Sequence, residues 1–280
     1  MFTEQDDVVP QSGVEEIVNT GIANTLAGND IISGTGRKIR LGAGIRNELG
    51  IIDTSNGDDL ISGIYNGENN FFGDGIHNTQ ATIDTGNGND IITGTVTNNN
   101  RYGIYNTQAT IDTGNGDDII TGFIQGRGDG IYNTQATIDT GNGDDTITGL
   151  SQGPANAGIS AISGSIIDTG KGNDKVTGTG FVGISLLFSD TLTTGDGNDI
   201  ITGTGDIAAS NNWGVGISIT RSLIDTGDGD DIITGAHTKG YGIHNAGDIT
   251  TGDGNDIIIG IGDSLRGGID NYFGTINTGK

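Results

Sequence analysis

One ten-residue segment returns along the whole chain, and this repetition restricts the possible folds more than any other feature of the sequence. The copy TGNGNDIITG begins at Thr85, and closely similar copies begin at Thr113 and Thr226. The aspartates that close the glycine-rich part of each copy lie about 28 residues apart, a spacing typical of solenoid repeats. These aspartates are Asp30, Asp59, Asp90, Asp118, Asp145, Asp174, Asp199, Asp231 and Asp256.

Isoleucine returns at three further positions of each repeat, for example at Ile120, Ile131 and Ile138. It favours strands over helices because its β-branched side chain is restricted at χ1. Since each row of isoleucines needs its own inward-facing strand, every coil has three short strands. The sequence therefore predicts an all-β fold, a right-handed parallel β-helix or β-solenoid of about nine coils of about 28 residues.

A second constant element, Gly-Ile-x-Asn, places an asparagine two residues after an inward isoleucine, as in the copies that begin at Gly103 and Gly130. Because side chains alternate between the two faces of a strand, this asparagine points inward as well. We expect the amides to stack and to hydrogen-bond from coil to coil. The predicted stack contains Asn24, Asn47, Asn78, Asn106, Asn133, Asn245 and Asn271.

Composition excludes several classes of protein. The chain has 280 residues, 54 of them glycine, and no cysteine, which excludes a disulfide scaffold and thiolate zinc sites. Its 12 Lys and Arg against 36 Asp and Glu give a net charge of -24, which argues against a nucleic-acid partner. No apolar run reaches the ~18 residues of a membrane span, and residues 1–13 lack the features of a cleaved signal peptide.

The recurrent turn resembles the RTX nonapeptide of haemolysin-type calcium-binding proteins, in which glycines allow a tight turn and an aspartate holds calcium between coils. The matching residues of one copy are Gly86, Gly88, Asp90 and the inward Ile92. The resemblance implies a calcium-stabilised solenoid that is secreted without a cleaved signal peptide. It therefore implies an extracellular or cell-surface location, where calcium concentrations are high enough to fill weak sites.

Electrostatics favours a cation at these turns independently of the resemblance. Coils stack ~4.8 Å apart, and unit charges at that distance repel by about 0.9 kcal/mol in water and by ~3.5 kcal/mol at an effective dielectric constant of 20. Calcium binds carboxylate and amide oxygens of the kind these turns supply. The alternative is that Asp, Asn and Gly serve turn formation alone. Besides the nine aspartates, the predicted calcium ligands are Asn89, Asp117, Asp144, Asn173, Asn198, Asp230 and Asn255.

A further set of acids follows the third isoleucine row and points outward by alternation. We interpret it as a solvated face, with a supplementary cation site as the alternative. Its members are Asp53, Asp84, Asp112, Asp139, Asp168 and Asp225.

Catalysis and ice binding are the main alternatives to a structural role. A polysaccharide-modifying enzyme on a β-helix needs acids that converge with Arg, Lys or His in one groove. Here the acids are spread along the stack and His77, His237 and His244 have no fixed partner in the repeat, so we predict no enzyme activity. Outward threonine rows, which include Thr93 and Thr121, suit an ice-binding or adhesive surface, but β-propensity also explains them.

An outward aliphatic row lies directly before the first inward isoleucine row. A stripe of this size is too apolar to be left in water, so we expect another subunit or loops to cover it. The row consists of Ile31, Leu60, Ile91, Ile119, Ile200, Ile232 and Ile257.

The ends of the repeat array predict head-to-tail association, since Ile269 and Ile276 still occupy their rows in the last repeat. Solenoid ends without a cap expose strand edges, and a head-to-tail contact between them propagates as a filament. We divide the chain into an N-terminal arm or cap at 1–20 and a single solenoid domain at 21–280 that ends in an uncapped partial coil. The predicted function is an extracellular structural protein that assembles with itself into a filament, sheath or surface layer, with cell-surface polysaccharide as a further candidate partner.

Overall fold

The computed structural model describes residues 5–10, 16–36, 42–67, 72–97, 101–205 and 214–279. All regular structure in these ranges is β-strand, and no helix there has the length and apolarity to cross a bilayer. In chain order the strands are β1 (Val8–Val9), β2 (Ile17–Asn19), β3 (Ile22–Asn24), β4 (Ile31–Gly36), β5 (Gly42–Glu48), β6 (Ile51–Asp53), β7 (Leu60–Tyr65), β8 (Gly73–Thr79), β9 (Thr82–Asp84), β10 (Ile91–Val96), β11 (Ile104–Thr107), β12 (Thr110–Asp112), β13 (Ile119–Ile124), β14 (Ile131–Thr134), β15 (Thr137–Asp139), β16 (Thr146–Ser151), β17 (Ala157–Ile162), β18 (Ile166–Asp168), β19 (Lys175–Gly180), β20 (Val182–Leu187), β21 (Thr191–Thr193), β22 (Ile200–Gly205), β23 (Val215–Asp225), β24 (Ile232–His237), β25 (Tyr241–Thr250), β26 (Ile257–Ile261), β27 (Ile269–Asn271) and β28 (Thr275–Asn277).

The strands form a parallel β-solenoid, because each strand pairs in parallel with the equivalent strand of the next repeat. Strand β13, for example, lies between β10 and β16. The solenoid has about nine turns spaced about 28 residues apart, as the repeat predicts. Three strands make most coils, and in two coils a single longer strand, β23 or β25, covers both of the last two positions. We call the ten-stranded sheet from β1 to β26 face 1, the column that contains β14 face 2, and the column that contains β15 face 3.

The three predicted isoleucine rows form the core. Ile120 on face 1, Ile131 on face 2 and Ile138 on face 3 are each 0% exposed. Each of them pairs in register with the same row member of the adjacent coils, so the rows are continuous along the rod. Burial of whole aliphatic side chains is the main favourable contribution to folding. The predicted inward positions are therefore confirmed.

The coil is too narrow for a side chain where face 1 meets face 2. A Cβ atom placed on Gly122 would overlap the backbone oxygen of Gly130. The equivalent glycines one coil earlier, Gly94 and Gly103, are in the same relation. Glycine recurs at these two positions because any other residue would force the strands apart.

The asparagine row is confirmed in most of its members. The Asn78 amide donates to Asn106 Oδ1, and the Asn106 amide donates to Asn133 Oδ1, at 2.9 Å in both cases. Asn24 was predicted wrongly, because it pairs with Asp53 on face 3. Asn19 takes the place in the row, since it pairs with Asn47 and donates to its Oδ1 at 2.8 Å.

The solenoid begins before residue 21. Val8 pairs with Ile31 on face 1, and Ile17 pairs with Ile45 on face 2. This part of the predicted N-terminal segment therefore pairs with the following coil of its own chain. Residues 1–4 and 11–15 of the same segment lie outside the described residues.

Candidate functional site

The recurrent turn carries the chain from face 3 back to face 1. In one copy, Gly114 and Gly116 have φ values of 80° and 139°, which glycine adopts without the steric cost that a Cβ would add. The side chain of Asp112 closes the start of the turn by accepting the Gly114 N–H at 3.1 Å. The turn ends with two adjacent acids, Asp117 and Asp118. It is these last two positions that hold the predicted calcium ligands.

The closing aspartates form a buried ladder that we call the inner row. The Asp90 N–H donates to Asp118 Oδ1 and the Asp118 N–H donates to Asp145 Oδ1, both at 2.7 Å. The same bond, at 2.7 to 3.1 Å, joins each pair of neighbours from Asp30 to Asp256. All members are buried except Asp256, which is partly exposed. Each inner-row carboxylate therefore works as a hydrogen-bond acceptor between coils.

The second carboxylate oxygen of the inner row, Oδ2, faces the threonine five residues earlier. In one coil the Thr169 hydroxyl donates to Asp174 Oδ2 at 2.6 Å. In six coils, including that of Asp118, Oδ2 is buried without a well-formed hydrogen bond. The Thr113 hydroxyl still lies close enough to Asp118 to lower the pKa of that carboxyl. A buried acceptor with a poor partner is costly, so these oxygens, together with the threonine hydroxyls that they face in several coils, are the least satisfied polar atoms of the turn.

The residues that precede the inner row form an exposed ladder that runs in the opposite direction, and we call it the outer row. The Asp117 N–H donates to Asn89 Oδ1 and the Asp144 N–H donates to Asp117 Oδ1, both at 2.9 Å. Here each side chain accepts from the following coil, whereas each inner-row side chain accepts from the preceding one. The members are Asn29, Asp58, Asn89, Asp117, Asp144, Asn173, Asn198, Asp230 and Asn255.

Burial raises the pKa of the inner-row carboxyls, and the hydrogen bonds that they accept only partly offset this effect. The pKa reaches about 6 at Asp59, Asp90 and Asp174 and about 7 at Asp118, Asp145 and Asp199. In the outer row the backbone N–H and the amide of Asn173 lower the pKa of Asp144. Two adjacent positions of one turn thus differ strongly in how firmly they hold a proton.

A third row of acids lies on face 3, at the start of each turn, where the sequence predicted a solvated face. Its members are half-buried, and the Oδ1 of Asp84 accepts the Gly86 N–H at 3.1 Å. Burial and the charge of Asp53 raise the pKa of Asp84. These carboxylates therefore also shape the turn, and a supplementary cation site here stays a prediction.

The inner and outer rows differ in how accessible their oxygens are to a calcium ion. Each inner-row carboxylate except that of Asp256 is buried, with Oδ1 bonded to a backbone N–H and Oδ2 turned toward a threonine, whereas the outer-row oxygens lie at the surface. Calcium takes six to eight oxygens, and the described part of the chain contains no group of three or more His, Cys, Asp or Glu side chains that could hold an ion. Calcium binding stays a prediction, and the outer row is where solvent-exposed oxygens are available.

Two members of these ladders were missed in the sequence. The Asp7 N–H donates to Asp30 Oδ1 at 2.7 Å, and the Asn29 N–H donates to Asp6 Oδ1 at 2.9 Å. The first coil therefore has the same pair of acids before its face 1 strand. The signal was the run Asp-Asp-Val-Val at Asp6, which matches Asp-Asp-Ile-Ile elsewhere but lacks the preceding glycines.

The predicted assembly residues lie at the surface. Ile91, Ile119 and Ile200 of the outward aliphatic row are 39 to 41% exposed, and the row follows face 1 along the rod. In the last described coil Ile269 is 42% exposed, while Ile276 packs partly against the core. The described part of the chain leaves both regions open to solvent.

Fold and turn together define the chain as a parallel β-solenoid whose coils are joined by opposed ladders of acidic and amide side chains. Comparison of the chain with protein-family models, with curated proteins and with solved structures found no match. The case for a function therefore rests on the geometry of this solenoid.

Proposed function

We propose that the protein is an extracellular structural element, a calcium-stabilised β-solenoid that assembles with itself head to tail, and that it is not an enzyme. The observation that carries this proposal is the uniform register of the coils. On face 1 the described coils repeat the same pairing, and their turns repeat the same two ladders, so one coil offers a surface that fits another. Uniform stacking suits a building element, because each coil can bind the next one in the same way.

The two ends of the described solenoid support association along the axis. In the last coil the inward Ile269 is 42% exposed, and Ile258 and Ile276 are only partly buried, whereas their row neighbours one coil earlier, Ile243, Ile233 and Ile249, are 0% exposed. In the first coil the inward Val9 and Ile17 are likewise only partly buried. The outer edges of β26, β27 and β28 have backbone groups that pair with no further described strand. A second copy that stacks on this edge buries the apolar side chains and pairs the open backbone groups.

The ladders specify how such a joint is made. In the inner row the Asp231 N–H donates to Asp256 Oδ1, so the Asp256 N–H points to the inner-row acid of the next coil. In a head-to-tail joint that acid is Asp7 of the next copy. The outer row also continues across the joint, in its opposite direction, with the Asp6 N–H of the next copy directed to Asn255 Oδ1. The contact joins different surfaces, so it propagates without a fixed limit.

Calcium and location belong to the same proposal. A rod of -24 net charge repels its own copies, and divalent cations at the exposed outer row reduce that repulsion. Weak sites of this type fill at millimolar calcium, which is found outside cells.

The test is the size of the 1–280 polypeptide over a range of concentrations, with calcium and with EGTA, by analytical ultracentrifugation and negative-stain electron microscopy. We expect filaments whose subunit length is ~45 Å, from about nine coils at ~4.8 Å. Ile269→Asp changes the axial edge and Ile119→Lys changes the lateral row, so the two variants separate end-to-end from side-by-side contacts. A protein that stays monomeric under all of these conditions would disprove self-assembly.

A further inference from the structure

Three tyrosines form a cluster on the outer side of face 2. Tyr105 and Tyr132 are register partners in adjacent coils, with ring centroids 5.6 Å apart and an interplanar angle of 12°. Tyr102 stacks on both, at 5.1 Å from Tyr105 and 4.5 Å from Tyr132. His77 extends the row by one coil, at 4.9 Å from Tyr105. The core does not need these rings, because they lie on the outward side of the strand.

Polar side chains surround the rings. The Arg101 guanidinium lies 5.3 Å from the centroid of Tyr105, and its Nη1 lies 3.4 Å from Asp74 Oδ2. Asp129 accepts the Ala157 N–H through Oδ1 at 2.7 Å. A cleft of about 320 Å³ lies here, lined by the three tyrosines together with Arg101, Arg127, Asp129 and Asn156.

The cleft lies where the aromatic row ends. The register partner of Tyr132 in the next coil is Ser160, whose side chain is too small to continue the row. Asn156, which precedes Ser160 in the same coil, lines the cleft. The change from large to small residues thus interrupts the outward row of face 2 at this coil, which the stacking of the coils does not require.

The lining has the chemistry that recognises a sugar ring. Aromatic rings offer flat apolar surfaces to the C–H groups of a pyranose, and the planar guanidinium, carboxylate and amide groups of Arg, Asp and Asn bond to its hydroxyls. A cleft of this size, lined by aromatic rings and a few polar groups, is typical of small-molecule sites. The net charge of -24 opposes anionic ligands such as uronates and nucleotides. We therefore propose that this cleft binds a pyranose unit of a neutral polysaccharide.

Calorimetric titration of the 1–280 polypeptide with single oligosaccharides tests the proposal. The probes are hexasaccharides of β-1,4-linked glucose, mannose, N-acetylglucosamine and galactose, with a hexagalacturonate as the anionic comparison. We expect at least one neutral probe to bind with a dissociation constant of about 1 mM or lower. Arg127→Ala and Tyr132→Ala should each weaken that binding at least tenfold.

Tyr272→Ala is the matched control, because Tyr272 also stacks on a histidine, His244, but lies outside the cleft. Its binding should equal that of the unchanged protein. Thermal melts report whether each variant is folded. If Tyr132→Ala unfolds, the binding measured for Arg127→Ala tests the proposal, because Arg127 is an exposed loop residue whose replacement should leave the fold intact. The proposal is wrong if no neutral probe binds, if hexagalacturonate alone binds, or if Arg127→Ala binds as the unchanged protein does. None of these outcomes depends on self-assembly.

Discussion

Asp117 and Asp118 are neighbours in the chain, yet their carboxylates accept hydrogen bonds from opposite directions along the rod. Asp118 Oδ1 accepts the N–H of Asp90, one coil earlier, and Asp117 Oδ1 accepts the N–H of Asp144, one coil later. A single dipeptide therefore ties three successive coils together. Because the arrangement recurs in each turn, it stabilises the register as well as the stack.

Replacing the two acids one at a time measures what each ladder contributes. Asp118→Ala leaves the buried N–H of Asp90 without its acceptor and should lower the free energy of unfolding by about 1–3 kcal/mol. Asp117→Ala frees an N–H beside water, and its effect should stay within about 0.5 kcal/mol. Denaturant unfolding of both variants checks this. Equal losses would show that the buried ladder has no special weight.

The inner row also predicts how stability depends on pH. In the unfolded chain aspartate releases its proton near pH 3.9, whereas the buried carboxyls keep theirs up to about pH 6 or 7. Between these values the folded state binds more protons than the unfolded state, so the free energy of unfolding falls as pH rises. We expect the melting temperature to be higher at pH 5 than at pH 8 by about 5 °C or more.

The control for this pH dependence is the triple variant Asp118→Asn, Asp145→Asn, Asp199→Asn. It keeps an Oδ1 acceptor in each coil but removes three groups that titrate in this range. Its melting temperature should vary less between pH 5 and pH 8 than that of the unchanged protein. An unchanged or steeper dependence would place the responsible groups elsewhere.

Calcium should stabilise the fold, because an ion that binds only the folded state shifts the unfolding equilibrium. We expect the melting temperature at pH 7.5 to be higher in 5 mM calcium than in EGTA, by about 5 °C or more. The proposed function assigns the ions to the exposed outer row. The double variant Asp117→Asn, Asp144→Asn should therefore reduce it, whereas Asp118→Asn should leave most of it. Identical melts in calcium and EGTA would remove calcium from the proposed function.

Two glycines make a matched test of the narrow cross-section. Gly122→Ala introduces a Cβ that would overlap the backbone oxygen of Gly130, so the strands must separate, at a cost of roughly 3 kcal/mol or more. Gly21→Ala meets no atom within 4 Å and should change the free energy of unfolding by less than about 0.5 kcal/mol. Circular-dichroism melts compare the two. A mild effect of Gly122→Ala would mean that the coil is wider at this corner.

Periodicity made the core predictable, because a repeated inward isoleucine leaves little choice of fold. The same alternation, followed back two residues from Ile120, already places Asp118 on the inner side, so its burial could have been predicted and was not. Asn24 was misplaced because Gly21-Ile22-Ala23-Asn24 matches the Gly-Ile-x-Asn element, although this segment lies on face 3. The tyrosine cleft could not be predicted, since Tyr102 meets Tyr132 only after stacking brings two coils together.

The parallel pairing of the strands also determines how the rod responds to force. Hydrogen bonds between coils run along the axis, so a pull on the two ends of the chain loads them one coil at a time and does not shear whole sheets. Each event releases about 28 residues, or about 90 Å of extended chain at ~3.4 Å per residue. Because the coils are nearly alike, we expect the force–extension curve of a single molecule to be a saw-tooth of evenly spaced peaks of similar height, and the protein should lengthen roughly tenfold or more before its last coil opens.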